Sequence, residues 1–183
     1  KDGFQQAESE ILFLEKEDIN VFSFQCNEYP DRLKNCHDAP FLLFQSGNVN
    51  WNNSKIISIV GTRQITSYGT EFTKKLLEEV APLNPIIVSG FAYGVDIVAH
   101  QAAMEYNLQT IGVLAHGLNQ IYPKTHKKYM AKMQENGGFL TEFWTYSKPD
   151  RENFVKRNRI VAGISEATIV VESAERGGSL ITA

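Results

Sequence analysis

KIISIVGTRQITSYGTEFTKKLLEEVAPLNPIIVSG, residues 55–90, decides the fold. KIISIV (55–60) is a β-branched apolar run, too short for a helix and suited to a buried strand. TSYGTEFTKKLLEEVAPL (66–83) then places Phe72, Leu76, Leu77 and Val80 at helical spacing, and PIIVS (85–89) is the next strand. Strand, helix, strand is the repeating unit of a parallel sheet. The rhythm continues with a helix over 95–107, a strand over 110–115 (TIGVLA), and a helix over 124–137 with Gly137 as its stop. A strand at 138–143 (GFLTEF), a helix at 153–165 (NFVKRNRIVAGIS) and a strand at 167–173 (ATIVVES) complete it. The expected fold is α/β: a Rossmann-like parallel sheet with helices on both faces and right-handed crossovers.

Outward from this core the pattern changes. Residues 8–19 read as the tail of an amphipathic helix, and VFSF (21–24) and FLLFQSG (41–47) as short strands interrupted at Tyr29-Pro30. NVNWNNS (48–54) is a polar, turn-rich linker. The expected organisation is a short N-terminal extension or lead-in subdomain, 1–50, followed by the Rossmann-like domain, 51–183. The sequence stops within GGSLITA (177–183) as another helix opens, so a C-terminally truncated domain is expected.

The 183 residues are 43% hydrophobic and 21% charged, which suits a packed core and not a disordered chain. The longest apolar runs are far below the roughly twenty residues of a spanning helix, so no membrane insertion is expected. Cys26 and Cys36 are too few for a disulfide scaffold and read as reduced thiols of a cytosolic protein. The net charge of -3 hides an uneven distribution. Residues 1–54 carry four basic and nine acidic side chains, whereas 124–159 carry nine basic and four acidic ones. A local basic surface attracts anions whatever the net charge is.

Open parallel sheets bind ligands beyond the carboxyl ends of their strands. Those positions hold Gly61-Thr62-Arg63, then Ser89-Gly90 with Ala92, Gly94 and Asp96, then His116-Gly117, Glu142, and finally Glu172 with Arg176, Gly177, Gly178 and Ser179. Gly-rich turns leading into helices present backbone N–H groups to phosphate, and Arg63 adds a planar, permanent charge. A second cluster is NFVKRNR, where Arg151, Arg157 and Arg159 surround Phe154. Charge for a backbone and a flat face for a base are what single-stranded nucleic acid requires. The competing readings are a core anchor for Phe154 and salt bridging to Glu142 or Glu172 for Arg157 and Arg159.

GxxxxGK[ST] and GxGxxG are both absent, which removes P-loop ATP hydrolysis and a bound dinucleotide. His37, His100, His116 and His126 have no metal-ligand spacing, so neither metal nor cofactor is expected. Asp96 and His100 could form an acid–base pair, but a capping role for Asp96 with His100 packed behind it fits better. Glu142 and Glu172, if they sit at neighbouring strand ends, keep a hydrolytic reading open.

Taken in order, these residues resemble the DNA-processing protein A (DprA, or Smf) family. The likeness runs through YPDRL (29–33), APFLLFQSGN (39–48), SIVGTR (58–63) and SGFAYGVDIVAH (89–100). It continues through TIGVLAHGLNQIYP (110–123), GGFLTEF (137–143), NFVKRNRIVAGIS (153–165) and VVESAERGGSLITA (170–183), and so covers residues 28–183. The resemblance implies a cytoplasmic recombination mediator that is not an enzyme. Such a protein binds single-stranded DNA, protects it during natural transformation, helps load RecA and acts as a homodimer. By resemblance, Arg63, Arg151 and Phe154 carry the DNA pocket. One departure is Gly177, where the family usually has serine. Of the accessory domains common in the family, a SAM-like one would precede Lys1, and a winged-helix one lies beyond Ala183 or is absent. The alternative is a nucleotide phosphoribohydrolase-like enzyme, for which ERGGSLIT (175–182) is a partial likeness and Glu142 or Glu172 would act.

Overall fold

The computed structural model describes residues 2–52, 55–175 and 177–182; Arg176, singled out above for its charge, lies outside them. The chain opens with helix α1 (Asp2–Lys16), strand β1 (Asn20–Ser23), the single turn α2 (Asp31–Lys34) and β2 (Leu42–Asn48). It then alternates through β3 (Ile56–Val60), α3 (Ser67–Val80), β4 (Ile86–Ser89), α4 (Val95–Glu105), β5 (Thr110–Val113) and α5 (Lys127–Glu135). β6 (Gly137–Thr141), α6 (Arg151–Gly163) and β7 (Ala167–Val170) follow, with a short 3-10 turn at Gly178–Ile181. Each strand and helix expected from residue 55 onward is present, with ends shifted by a few residues.

The strands form one sheet in the order β1-β2-β6-β5-β4-β3-β7. From β6 to β7 all pairings are parallel, as a strand–helix rhythm requires. The chain steps outward from β3 through β4 and β5 to β6, then crosses back to lay β7 on the far side of β3. Right-handed crossovers in one direction put α3, α4 and α5 on one face, and the reversed step puts α6 on the other. The buried clusters follow this division. Ile59, Ile87, Val95, Ala99 and Leu77 pack under α3 and α4, while Val60, Val88, Ile111, Ile160 and Val161 pack under α6. Neighbouring residues such as Ile59 and Val60 serve opposite faces because strand side chains alternate.

The first 50 residues, expected as a lead-in subdomain, contribute to this same sheet. β2 pairs antiparallel with β6, Phe44 opposite Thr141 and Gly47 opposite Gly138, and β1 pairs antiparallel with β2. The sheet is therefore mixed at one edge. Tyr29, Leu33 and Leu43 are buried in the α6-side cluster, and the Tyr29 hydroxyl donates to the Pro40 carbonyl at 2.6 Å. Among the described residues no helix is long and apolar enough to cross a membrane.

Candidate nucleic-acid interface

The direction of chain travel reverses between β3 and β7, and their carboxyl ends therefore splay their loops apart. A cleft of about 660 Å³ opens there, walled by the 61–63 turn, the loop around Gly90, Tyr122, the first two turns of α6, Ala174 and residues 177–179. Gly61, Thr62, Arg63, Gly90, Arg151, Phe154, Arg157, Gly177, Gly178 and Ser179 all line it. Segments more than a hundred residues apart thus meet where the topology predicts a ligand.

α6 builds one wall. Asp150 caps it, its carboxylate accepting the Asn153 N–H at 2.9 Å, which sets Arg151 in the first turn. Phe154 and Arg157 are three apart and Asn158 four from Phe154, so one helix face carries all three. The Ser58 hydroxyl, from β3, donates to the Val161 carbonyl at 2.6 Å and fixes that face over the sheet. Phe154 lies under two guanidinium groups, Arg63 at 5.3 Å and Arg157 at 5.9 Å from its ring centre. Such contacts are attractive because the ring face is electron-rich. Tyr122 tilts against the same ring at 5.6 Å.

The two arginines on that ring differ in state. Arg157 is 4% exposed, and its guanidinium donates to the carbonyls of Gly90 at 2.6 Å and Val113 at 2.5 Å. A Cβ at Gly90 would overlap it, which explains the glycine. Asp96 lies buried below. Burial raises its carboxyl above the ordinary range, while Arg157 and the Ala92 and Gly90 N–H groups pull it back. Arg157 is therefore a nearly buried strut that forms part of the cleft floor. Arg63 and Arg151 are exposed and have no ion pair among the described residues, so their charge faces solvent.

Three expected residues lie outside the cleft. Ser89 is fully buried, its hydroxyl donating to the Ile59 carbonyl at 2.5 Å. Gly94, at φ +77°, starts α4, and a Cβ there would overlap the Thr62 carbonyl, so it serves the packing of two turns. Arg159 points away, onto Glu142 with two bonds of 2.5 and 2.7 Å and onto Asp38 at 3.2 Å. Two residues along a helix is 200° around its axis, so Arg157 and Arg159 cannot share a face.

The turns also differ from a free amide cradle. The Gly90 and Ala92 N–H groups donate to Asp96 at 3.1 and 3.3 Å, and the Thr62 N–H to the Glu172 carbonyl at 2.7 Å. The Gly177 N–H donates to the Ala174 carbonyl at 2.8 Å. These four amides are thus occupied, and the exposed cationic groups of the cleft are the side chains of Arg63 and Arg151. At Gly177 a Cβ would stand 2.5 Å from the Ser173 hydroxyl, which itself accepts from Ser179 at 2.8 Å. A hydroxyl from residue 173 thus occupies the place next to the glycine.

Glu142 and Glu172 are not neighbours. β6 and β7 are separated by three strands, about 19 Å at ordinary strand spacing. Glu142 is bound to Arg159, and hydrogen bonds from Thr66 hold the Glu172 carboxyl below its ordinary value. Asp96 and His100 are not an acid–base pair either. His100 is fully buried with Nδ1 on the Thr110 hydroxyl at 2.7 Å, and burial lowers its pKa to about 3. Sequence reasoning missed Tyr122 and Asp150 as cleft residues. The same strand-end argument reaches Tyr122 once the loop after the third strand is followed to its end, and a residue preceding an α6 start is the natural cap.

The sequence profile of the DNA recombination-mediator protein A family matches residues 20–183. The DNA processing protein DprA of Bacillus subtilis is 38% identical over 166 residues, covering 90% of this chain and 56% of that protein. The crystal structure of DprA from Streptococcus pneumoniae superposes with a TM-score of 0.86 at 35% identity, covering 93% of this chain and 61% of that one. DNA processing protein A from Helicobacter pylori, described for its single-stranded DNA binding mode, superposes with a TM-score of 0.80 at 28% identity, over 90% of this chain and 74% of that one. The chain spans about half the length of the curated relatives it matches.

Proposed function

The chain belongs to the DNA recombination-mediator protein A family, and on that footing we propose that its cleft binds single-stranded DNA. The observation that carries this is the pairing of exposed Arg63 and Arg151 with an accessible aromatic pair, Phe154 and Tyr122, at the sheet's switch point. Arg63 and Arg151 neutralise successive phosphates, and the half-buried Phe154, beside Arg63 and the tilted Tyr122 ring, presents its exposed part to a base. Stacking of this kind is sequence-tolerant because every base has a π-face. The H. pylori protein's single-stranded DNA binding supports the reading. Family membership supports its wider part: a recombination mediator that acts by binding and not by catalysis. In that reading it shields incoming DNA in natural transformation, helps load RecA, and works as a cytoplasmic homodimer.

The hydrolase alternative needs two carboxylates in one place, and Glu142 and Glu172 stand three strands apart. Base release from nucleoside monophosphates is therefore expected to be undetectable. The test of binding is fluorescence anisotropy with labelled single- and double-stranded oligonucleotides over a salt series. Expected is a preference for the single strand, with log affinity falling about 0.7 per phosphate neutralised against log salt. Arg63→Ala should weaken binding to all sequences alike and flatten that slope by about 0.7. Normal binding by Arg63→Ala sinks the cleft assignment.

A further inference from the structure

The loop from Glu142 to Arg151 carries β6 into α6, and its side chains alternate. Thr145 is buried and Ser147 and Pro149 are half-buried, whereas Trp144, Tyr146 and Lys148 are exposed. The inward positions are anchored from three directions. Thr145 gives its N–H at 3.0 Å and its hydroxyl at 2.6 Å to the buried Glu10 carboxylate of α1. The Ser147 carbonyl accepts from the Gly117 N–H at 3.0 Å and from Gln120 at 2.6 Å, and the Ser147 N–H closes a turn on the Trp144 carbonyl at 2.8 Å. The Lys148 carbonyl accepts the Asn153 amide at 3.0 Å.

The outward positions are therefore displayed on a braced backbone. Tyr146 is 74% exposed, and among the described residues its ring and hydroxyl have no partner. Trp144 is 51% exposed and leans with one side on Phe44 at 5.6 Å. Packing in the monomer does not account for showing two large rings to water on a pinned loop. Rigid aromatics lose little conformational freedom when they meet a ligand. The loop runs directly into Arg151, within at most about 18 Å of Tyr146 along the chain, and Lys148 stands between them without an ion pair among the described residues. Two aromatic side chains followed by two basic ones, along a path that ends in the cleft, suit a continuing nucleic-acid strand.

We infer that this loop is a second base-binding subsite: Trp144 and Tyr146 stack bases of a single strand leaving the cleft, and Lys148 holds a phosphate between them and Arg151. The inference rests on the reading of the cleft as a single-stranded DNA site. It lengthens that site and assigns it a direction, along the β6–α6 loop toward α1.

The experiment compares oligothymidylates of about 4 and about 16 nucleotides by anisotropy, on the whole chain. Tyr146→Ala should weaken the long oligonucleotide by at least about fivefold and leave the short one unchanged, while Tyr146→Phe binds both as wild type does. Lys148→Ala should lower the salt slope for the long oligonucleotide by about 0.7. The chain has two tryptophans, so Trp51→Phe leaves Trp144 as the sole tryptophan, and under selective tryptophan excitation the long oligonucleotide should quench it where the short one does not. Wild-type affinity for the long oligonucleotide in both Tyr146→Ala and Trp144→Ala overturns the inference, and so does an equal loss at both lengths. In either case Arg63→Ala reports separately on the cleft: if it still loses DNA, only the second subsite has failed.

Discussion

At the scale of single residues, the two arginines over Phe154 have opposite roles, and mutation separates them. Arg157 satisfies two buried carbonyls and faces the buried Asp96. Arg157→Ala leaves those groups uncompensated and should destabilise the fold by about 3–5 kcal/mol in urea unfolding. Arg63→Ala removes an exposed side chain and should change stability by no more than about 0.5 kcal/mol while binding falls. A stable Arg157→Ala would show that Asp96 is neutralised by other means. His100 gives a pH signature. Its Nε2 is buried with no partner, so a proton there would place an unmatched charge in the core. Its folded pKa, about 3, lies below the ordinary 6.5, so the folded state binds fewer protons than the unfolded one. Stability is then complete above pH 6.5 and falls as pH drops toward 3, by up to about 1.4 kcal/mol per unit. His116 and His126 are lowered too, mainly by burial, and add in the same direction. Denaturation midpoints across this range should flatten in His100→Gln.

At the scale of elements, α6 both packs on the sheet and walls the cleft. Its apolar C-terminal half, Ile160 and Val161, is marked in the sequence, whereas its start at Arg151 lies two residues before the expected Asn153. Its N-terminus carries an internal conflict. Asp150 caps the helix, yet its carboxylate lines a cleft read here as a phosphate site. Asp150→Asn keeps a capping oxygen and removes the charge. Single-stranded DNA should bind severalfold more tightly, most visibly at low salt, with a stability cost of about 0.3–1 kcal/mol from the lost helix-dipole interaction. Weaker binding in this variant would mean that the Asp150 charge orders Arg151.

At the scale of the whole molecule, the acidic lead-in and the basic core form one sheet. β2 covers the edge of β6, Leu43 and Tyr29 fill the core beneath α6, and Arg159 ties that helix to Asp38 and Glu142. A chain beginning at residue 51 would expose the β6 edge and that apolar surface, and an open edge invites pairing with other chains. It should elute as aggregate and lack a cooperative thermal transition. A soluble, cooperatively melting 51–183 chain would instead establish residue 50 as an independent folding boundary.

Much of this was legible in residue order because it depends on neighbours along the chain. Strand–helix alternation and the parallel core follow from periodicity and turn residues, and Arg63 at a strand end and Arg151 close to Phe154 in the chain were readable there, whereas the meeting of Arg63 with Phe154 was not. Contacts across the sheet are not written locally. Ser89 was readable as a hydroxyl at a strand end but is turned inward to the β3 backbone, and the Gly90 amide is occupied by a carboxylate six residues on. Arg157 and Arg159 are the same residue type in one helix, two positions apart. Only the packing of that helix against β3, β5 and the lead-in decided that one becomes a buried strut and the other an ion pair on the far side, because a side chain's partner is set by what the fold places opposite it.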